Sequence, residues 1–166
     1  MKLTKSKSSE WRTPKWLFEH FNKRFQFKLD GYASKRNALC KAFISKKTGF
    51  QNVGTQDIVD TGSVWCNPPY DQETLERATT TLVDCMHNAR ARVVVFRGVL
   101  LCPAKTDQAW WHYACMSATE IIFIKGRLTF SNAKCTAQQS HAVFVFDSLY
   151  PRAQKISFVE KPCPVQ

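Results

Sequence analysis

The chain has 166 residues, 44% of them hydrophobic and 22% charged. That ordinary globular mix excludes wholesale disorder and fibrous repeats, and the length suits one domain. Lys and Arg outnumber Asp and Glu by 24 to 13, giving a net charge of +11; residues 1–50 alone hold 13 basic and three acidic side chains, a front-loaded field that suits a polyanion.

No apolar run approaches the ~18–20 residues of a membrane span. No basic start leads into an apolar stretch and a small-residue cleavage site either, so the expectation is a soluble protein of the cytoplasm with no membrane partner. The seven cysteines are odd in number, irregularly spaced and without a CxxC pair. This argues against a disulfide scaffold or zinc ribbon, and no metal site is expected.

Along the chain, residues 1–10 read as a basic flexible arm rich in Lys and Ser. A helix follows, with Thr13 as cap, Pro14 at its first position, and Trp16, Leu17, Phe21 and Phe25 on one face. Residues 27–30 read as a short strand ending in Asp30. Residues 34–44 read as a helix, and 46–54 as a loop or hairpin. A strand over 63–67 stops at Pro68 and Pro69. Asp71 is placed to cap the next helix, 72–88.

Residues 92–100 are strongly β-branched and are expected at the sheet centre. A helix from 106 or 107 to about 115 comes next. Strands are expected over 120–124, 127–130 and 141–146, with a turn at Lys125-Gly126. The tail, 151–166, with Pro151, Pro162 and Pro164, reads as irregular. Early alternation of strands and helices followed by clustered strands predicts a mixed α/β sheet with helices on both faces.

Asn67-Pro68-Pro69-Tyr70 is the most informative segment. It lies where a strand ends and a helix begins, which is where open α/β sheets bind ligands. Two prolines fix φ near −65° and remove two N–H donors while keeping their carbonyl acceptors. The Asn67 side-chain oxygen and the Pro68 carbonyl can both accept from an exocyclic amine and aim its lone pair at an electrophile. Tyr70 offers a flat face for a base taken out of a duplex.

These residues resemble the catalytic motif of amino-group DNA methyltransferases. The wider pattern resembles the small phage-type, Dam-like DNA N6-adenine methyltransferases: residues 11–14, Leu29 to Ser34 with Asn37 to Cys40, Val64 to Tyr70, Pro103 to Asp107 with Trp110, and Gly126 to Phe130, in the same order. The resemblance implies a Rossmann-like methyltransferase domain over 11–150, S-adenosylmethionine as methyl donor and double-stranded DNA as substrate. Phage-encoded members would act in the host cytoplasm, with evasion of restriction as one purpose.

By position, the resemblance assigns Asn67, Pro68, Pro69 and Tyr70 to catalysis. It assigns Asp30, Gly31, Tyr32, Ala33, Thr13, Pro14, Asp57 and Asn67 to the cofactor. Charge and loop position add Lys5, Lys7, Arg12, Lys35, Arg36, Lys46, Lys47, Arg127 and Lys134 as candidate DNA contacts. Two departures stand out. The cofactor loop carries one glycine where the family has Gly-x-Gly, and Cys66 comes only 36 positions after Asp30, so the sheet is expected to be abbreviated. Two other readings stay open: a catalytically inactive methyltransferase-like DNA-binding module, and methylation of RNA or of cytosine N4.

Overall fold

A computed structural model describes residues 11–45, 47–133, 135–150 and 154–161. Among them one seven-stranded mixed sheet runs in the order β2-β1-β3-β4-β6-β5-β7. The strands are β1 (Leu29–Ala33), β2 (Ala42–Ser45), β3 (Ser63–Cys66), β4 (Arg97–Pro103), β5 (Glu120–Ile124), β6 (His141–Asp147) and β7 (Lys155–Val159). β2, β1, β3 and β4 are mutually parallel, whereas β6 is antiparallel to both of its neighbours.

Helices cover both faces, as expected. On one face α1 (Lys15–Phe25) buries Leu17, Phe18, Phe21 and Phe25 against Trp65, Val99, Val143 and Val145. On the other lie α2 (Thr55–Asp60), α3 (Gln72–Ala91) and α4 (Ala109–Ser117), packed through Leu75, Leu82, Met86 and Trp111 onto Val64, Cys66, Leu100 and Phe144. The alternation Val64, Trp65, Cys66 therefore serves two cores at once, one per face.

The chain leaves β1 for β2 on one side and returns to β3 on the other, so strand order reverses between β1 and β3. Open α/β sheets place their ligand crevice at such a switch point, outside the carboxyl ends of the strands. The β1 strand carries Asp30, and Asn67 follows β3 directly.

Several expectations fail for local reasons. Residues 34–44 are not a helix: turns fill 34–41 and β2 follows. Eight residues cannot hold a helix and its return, and local bonding competes, since the Asn37 side-chain oxygen accepts from the Ser34 amide and hydroxyl at 2.6 and 2.7 Å. β4 begins at Arg97 rather than 92, because α3 extends to Ala91 and its exit sets Val93 at φ 56° and 91% exposed. Residues 127–130 bury Leu128 and Phe130 but pair with no strand among the described residues. The irregular tail is corrected too, since β7 pairs parallel with β5 from Glu120↔Lys155 to Ile124↔Val159.

Thr13 does not cap α1 either. Pro14 occupies that position, with no side-chain cap bond, and its carbonyl accepts from Leu17 and Phe18. α2 was not anticipated. Asp71 does cap α3, accepting from the Thr74 amide at 2.9 Å. Among the described residues no helix is long and apolar enough to cross a membrane.

Candidate active site

Two cavities flank Asn67. One of about 550 Å³ opens toward Asp30, Thr13, Arg36 and Leu39. The other, about 300 Å³, opens toward Pro68, Pro69, Ala33 and Phe50. Trp11, Tyr32, Asn37 and Asn67 line both. Each volume falls in the ~300–1,000 Å³ range of small-molecule sites.

The Asn67 amide is tightly committed. Its Nδ2 donates to the Trp11 carbonyl at 2.7 Å and to Thr13 Oγ1 at 3.0 Å, while Oδ1 accepts from the Tyr70 hydroxyl at 2.9 Å. A backbone carbonyl can only accept, so the face of the amide toward Trp11 must be its NH₂. Oδ1 keeps one lone pair. No described residue donates to the Pro68 carbonyl. The end of β3 thus carries two acceptors on consecutive residues, each with capacity left.

Tyr70 is half-buried, and its ring meets Phe130 at 6.1 Å and His141 at 5.5 Å between centroids. Burial pushes its phenol well above the usual value, so it remains a donor to Asn67. The Lys105 ammonium donates to the Tyr70 carbonyl at 3.3 Å from the loop after β4. Sequence reasoning missed Lys105, Phe130 and His141. Their separation from Tyr70 in the chain hides them, and only the segment 103–107 and the segment ending at Phe130 carried any signal.

Asp30 is 3% exposed. Burial raises its carboxyl above the ordinary value, while the amides of Leu39 (3.0 Å) and Tyr32 (3.3 Å) pull the other way. Tyr32 lines both cavities, and its hydroxyl is buried without a partner among the described residues. At Gly31 a Cβ would lie 2.7 Å from Cys66 Sγ and 3.0 Å from the Phe50 ring, so its smallness lets core side chains pack beneath the site. Ala33 lines the smaller cavity, whereas Pro14 is buried under α1 and Asp57 is exposed on α2, and neither lines either cavity.

Of the basic residues, Arg12 and Arg36 line the larger cavity, and Lys35 and Lys47 are exposed on nearby turns. Arg127 is exposed and donates to the Gln138 carbonyl. Lys5, Lys7, Lys46 and Lys134 lie outside the described residues. The loop after β5 is stitched to the segment before α1: the Ser131 amide donates to the Arg12 carbonyl, its hydroxyl to the Thr13 carbonyl, and Phe130 packs on Trp11 at 5.3 Å.

Four of the cysteines are held as thiols. Burial pushes the Cys40 and Cys85 thiols up to about 12, and Cys66 and Cys102 well above the usual value, so none supplies a thiolate. No group of three or more His, Cys, Asp or Glu among the described residues could hold a metal ion.

The cavity toward Asp30 fits a sulfonium nucleoside. A carboxylate with lone pairs to spare can accept from ribose hydroxyls or an ammonium. Trp11, Ala38 and Leu39 give apolar wall for a purine.

The chain is similar to known proteins. A family model described as DNA N-6-adenine-methyltransferase (Dam) matches residues 1–162. A protein of Escherichia phage T1 described as a DNA N-6-adenine-methyltransferase is 29% identical over 120 residues, covering 72% of this chain and 46% of its own length. The chain thus spans about half of that relative. A solved modification subunit of a type I restriction enzyme from Vibrio vulnificus YJ016 aligns over 93% of this chain and 48% of its own, with a TM-score of 0.48 and 9% identity.

Proposed function

Because the chain belongs to the DNA N-6-adenine-methyltransferase (Dam) family, we propose that it transfers a methyl group from S-adenosylmethionine to the N6 amine of an adenine in double-stranded DNA. The observation that carries this reading is Asn67, which lines both cavities at the end of β3 and keeps a lone pair on Oδ1, followed directly by Pro68 on the smaller cavity. One cavity is suited to a nucleoside donor and the other to a base.

When bound, the cofactor supplies an electrophilic methyl group on a positively charged sulfur. Asp30 would hold it in the larger cavity. The adenine leaves the duplex at a cost of a few kcal/mol and enters the smaller cavity beside Asn67, where Trp11, Tyr32 and Phe50 supply aromatic wall. Asn67 Oδ1 and the Pro68 carbonyl accept the two N6 protons and turn the nitrogen lone pair toward the methyl carbon. The bound donor would supply the methyl group to that nitrogen and would keep the C–S electron pair on its sulfur. The nitrogen then sheds one proton to water. No side chain has to remove that proton beforehand, because alkylation makes it acidic. Rate enhancement comes from alignment and from water exclusion.

Arg12, Lys35, Arg36 and Lys47, together with the basic arm at 1–10, would hold DNA phosphates. Incubating the protein with labelled S-adenosylmethionine and unmethylated genomic DNA, then digesting to nucleosides, tests the reading. Label in N6-methyladenine supports it. Label only in N4-methylcytosine or in RNA, or none despite cofactor binding, would contradict it.

A further inference from the structure

Asn67 sits in a network that the motif itself does not contain. Thr13 Oγ1 accepts from two donors, Asn67 Nδ2 at 3.0 Å and the Trp65 indole N–H at 3.3 Å. Trp65 is fully buried, and it anchors Thr13 from below. The Trp11 carbonyl takes the other Asn67 proton at 2.7 Å. Both protons of the amide therefore point at residues 11–13, and Oδ1 is left to the Tyr70 hydroxyl, with its second lone pair for the substrate amine. Without these partners the amide could rotate by half a turn and present NH₂ to the substrate, donor against donor.

We propose that Thr13, seconded by the Trp11 carbonyl, is a positioning residue that fixes the Asn67 amide with its oxygen toward the substrate amine. The proposal rests on the methyltransferase reading above. It also explains why this chain carries an amide at 67. A carboxylate in the same place would bring an oxygen against the Trp11 carbonyl, two acceptors facing each other with no proton between them. The segment before α1 thereby selects Asn over Asp, and it does so through side-chain orientation. The Ser131 bonds to the Arg12 and Thr13 backbone hold that segment in place.

The test compares Thr13→Val, Thr13→Ser and Asn67→Asp with the wild-type chain. Three readouts are taken: kcat and KM for DNA, cofactor-product affinity by calorimetry, and the Trp65 indole N–H resonance. Valine keeps the shape of threonine and removes the acceptor. Its kcat is expected to fall about 10–100-fold, as for other sub-ångström losses of alignment, with KM and cofactor affinity held within a few-fold. The Trp65 resonance should move at the same time.

Serine restores the oxygen and should return kcat and the resonance close to wild type. Asn67→Asp should lose at least as much kcat as Thr13→Val. Wild-type kcat in Thr13→Val or in Asn67→Asp would overturn the proposal. So would a Ser variant as slow as the Val one, or a Val variant whose only loss is cofactor affinity. If the wild-type chain itself transfers no methyl group, the functional reading fails. The indole resonance still decides whether Thr13 accepts the Trp65 bond, and an unmoved resonance in Thr13→Val overturns the network.

Discussion

His141 makes the floor of the site acid-sensitive. It is 3% exposed at the start of β6, with its ring against Tyr70 and Phe130, and its Nδ1 has no partner among the described residues. Burial lowers its pKa from 6.5 to about 4, with the Arg127 charge adding to the shift and a bond to the Gln139 backbone opposing it. The folded state therefore resists the proton that the unfolded chain accepts. The resulting stability is present in full above pH 6.5 and is lost as pH falls toward 4. At ~1.36 kcal/mol per pKa unit, the loss reaches about 2 kcal/mol by pH 5 and roughly 3 kcal/mol below pH 4. For a domain of this size 2 kcal/mol is about 4–8 °C in melting temperature. Urea unfolding of the wild-type chain and of His141→Phe at pH 7.5 and 5.0 isolates the effect, because other groups titrate in both. The wild type should lose about 2 kcal/mol more than the variant between those pH values. Equal losses in the two proteins would refute the claim that a neutral, buried His141 supports Tyr70.

Three further outcomes follow from the site. Gly31→Ala drives a Cβ to 2.7 Å from Cys66 Sγ, and should cost about 1–3 kcal/mol in urea unfolding, as overpacking does elsewhere. Asp30→Ala removes a charged acceptor from the larger cavity and should weaken S-adenosylmethionine binding roughly 10–100-fold by calorimetry, the equivalent of a hydrogen bond to a charged group. Arg36→Ala should weaken DNA binding at low salt and flatten log K against log salt by about one unit if Arg36 holds a single phosphate; an unchanged slope would remove it from the DNA-facing set.

What could be read from the sequence was the part carried by local chemistry. The Asn67-Pro68-Pro69-Tyr70 turn, the Asp71 cap, α3, β5 and β6 all announce themselves within a few residues. Hidden features depend on partners far along the chain. β7 is a strand because β5, 35 positions earlier, offers a ladder (Glu120↔Lys155). Residues 93–95 have strong β-propensity and yet form the exit of α3, whose terminal bonds from Val93 and Val94 to Arg90 and Ala89 take precedence. α2, six residues long, is too short to show a period. Thr13 read as a helix cap, an interpretation its type and position both favoured, but its hydroxyl instead serves Asn67 and Trp65, 54 and 52 residues away. Gly31 shows a subtler case. The glycine was legible as special, but the packing of Cys66 and Phe50 against it was not.

The central claim is that one amide oxygen and one proline carbonyl hold the target amine in line for methyl transfer. Single-turnover methylation by Asn67→Ala, measured beside its calorimetric affinity for S-adenosylmethionine, tests this most directly. The account predicts that transfer to adenine N6 disappears while cofactor affinity stays within a few-fold of the wild-type value. Substantial turnover by the alanine variant would contradict it.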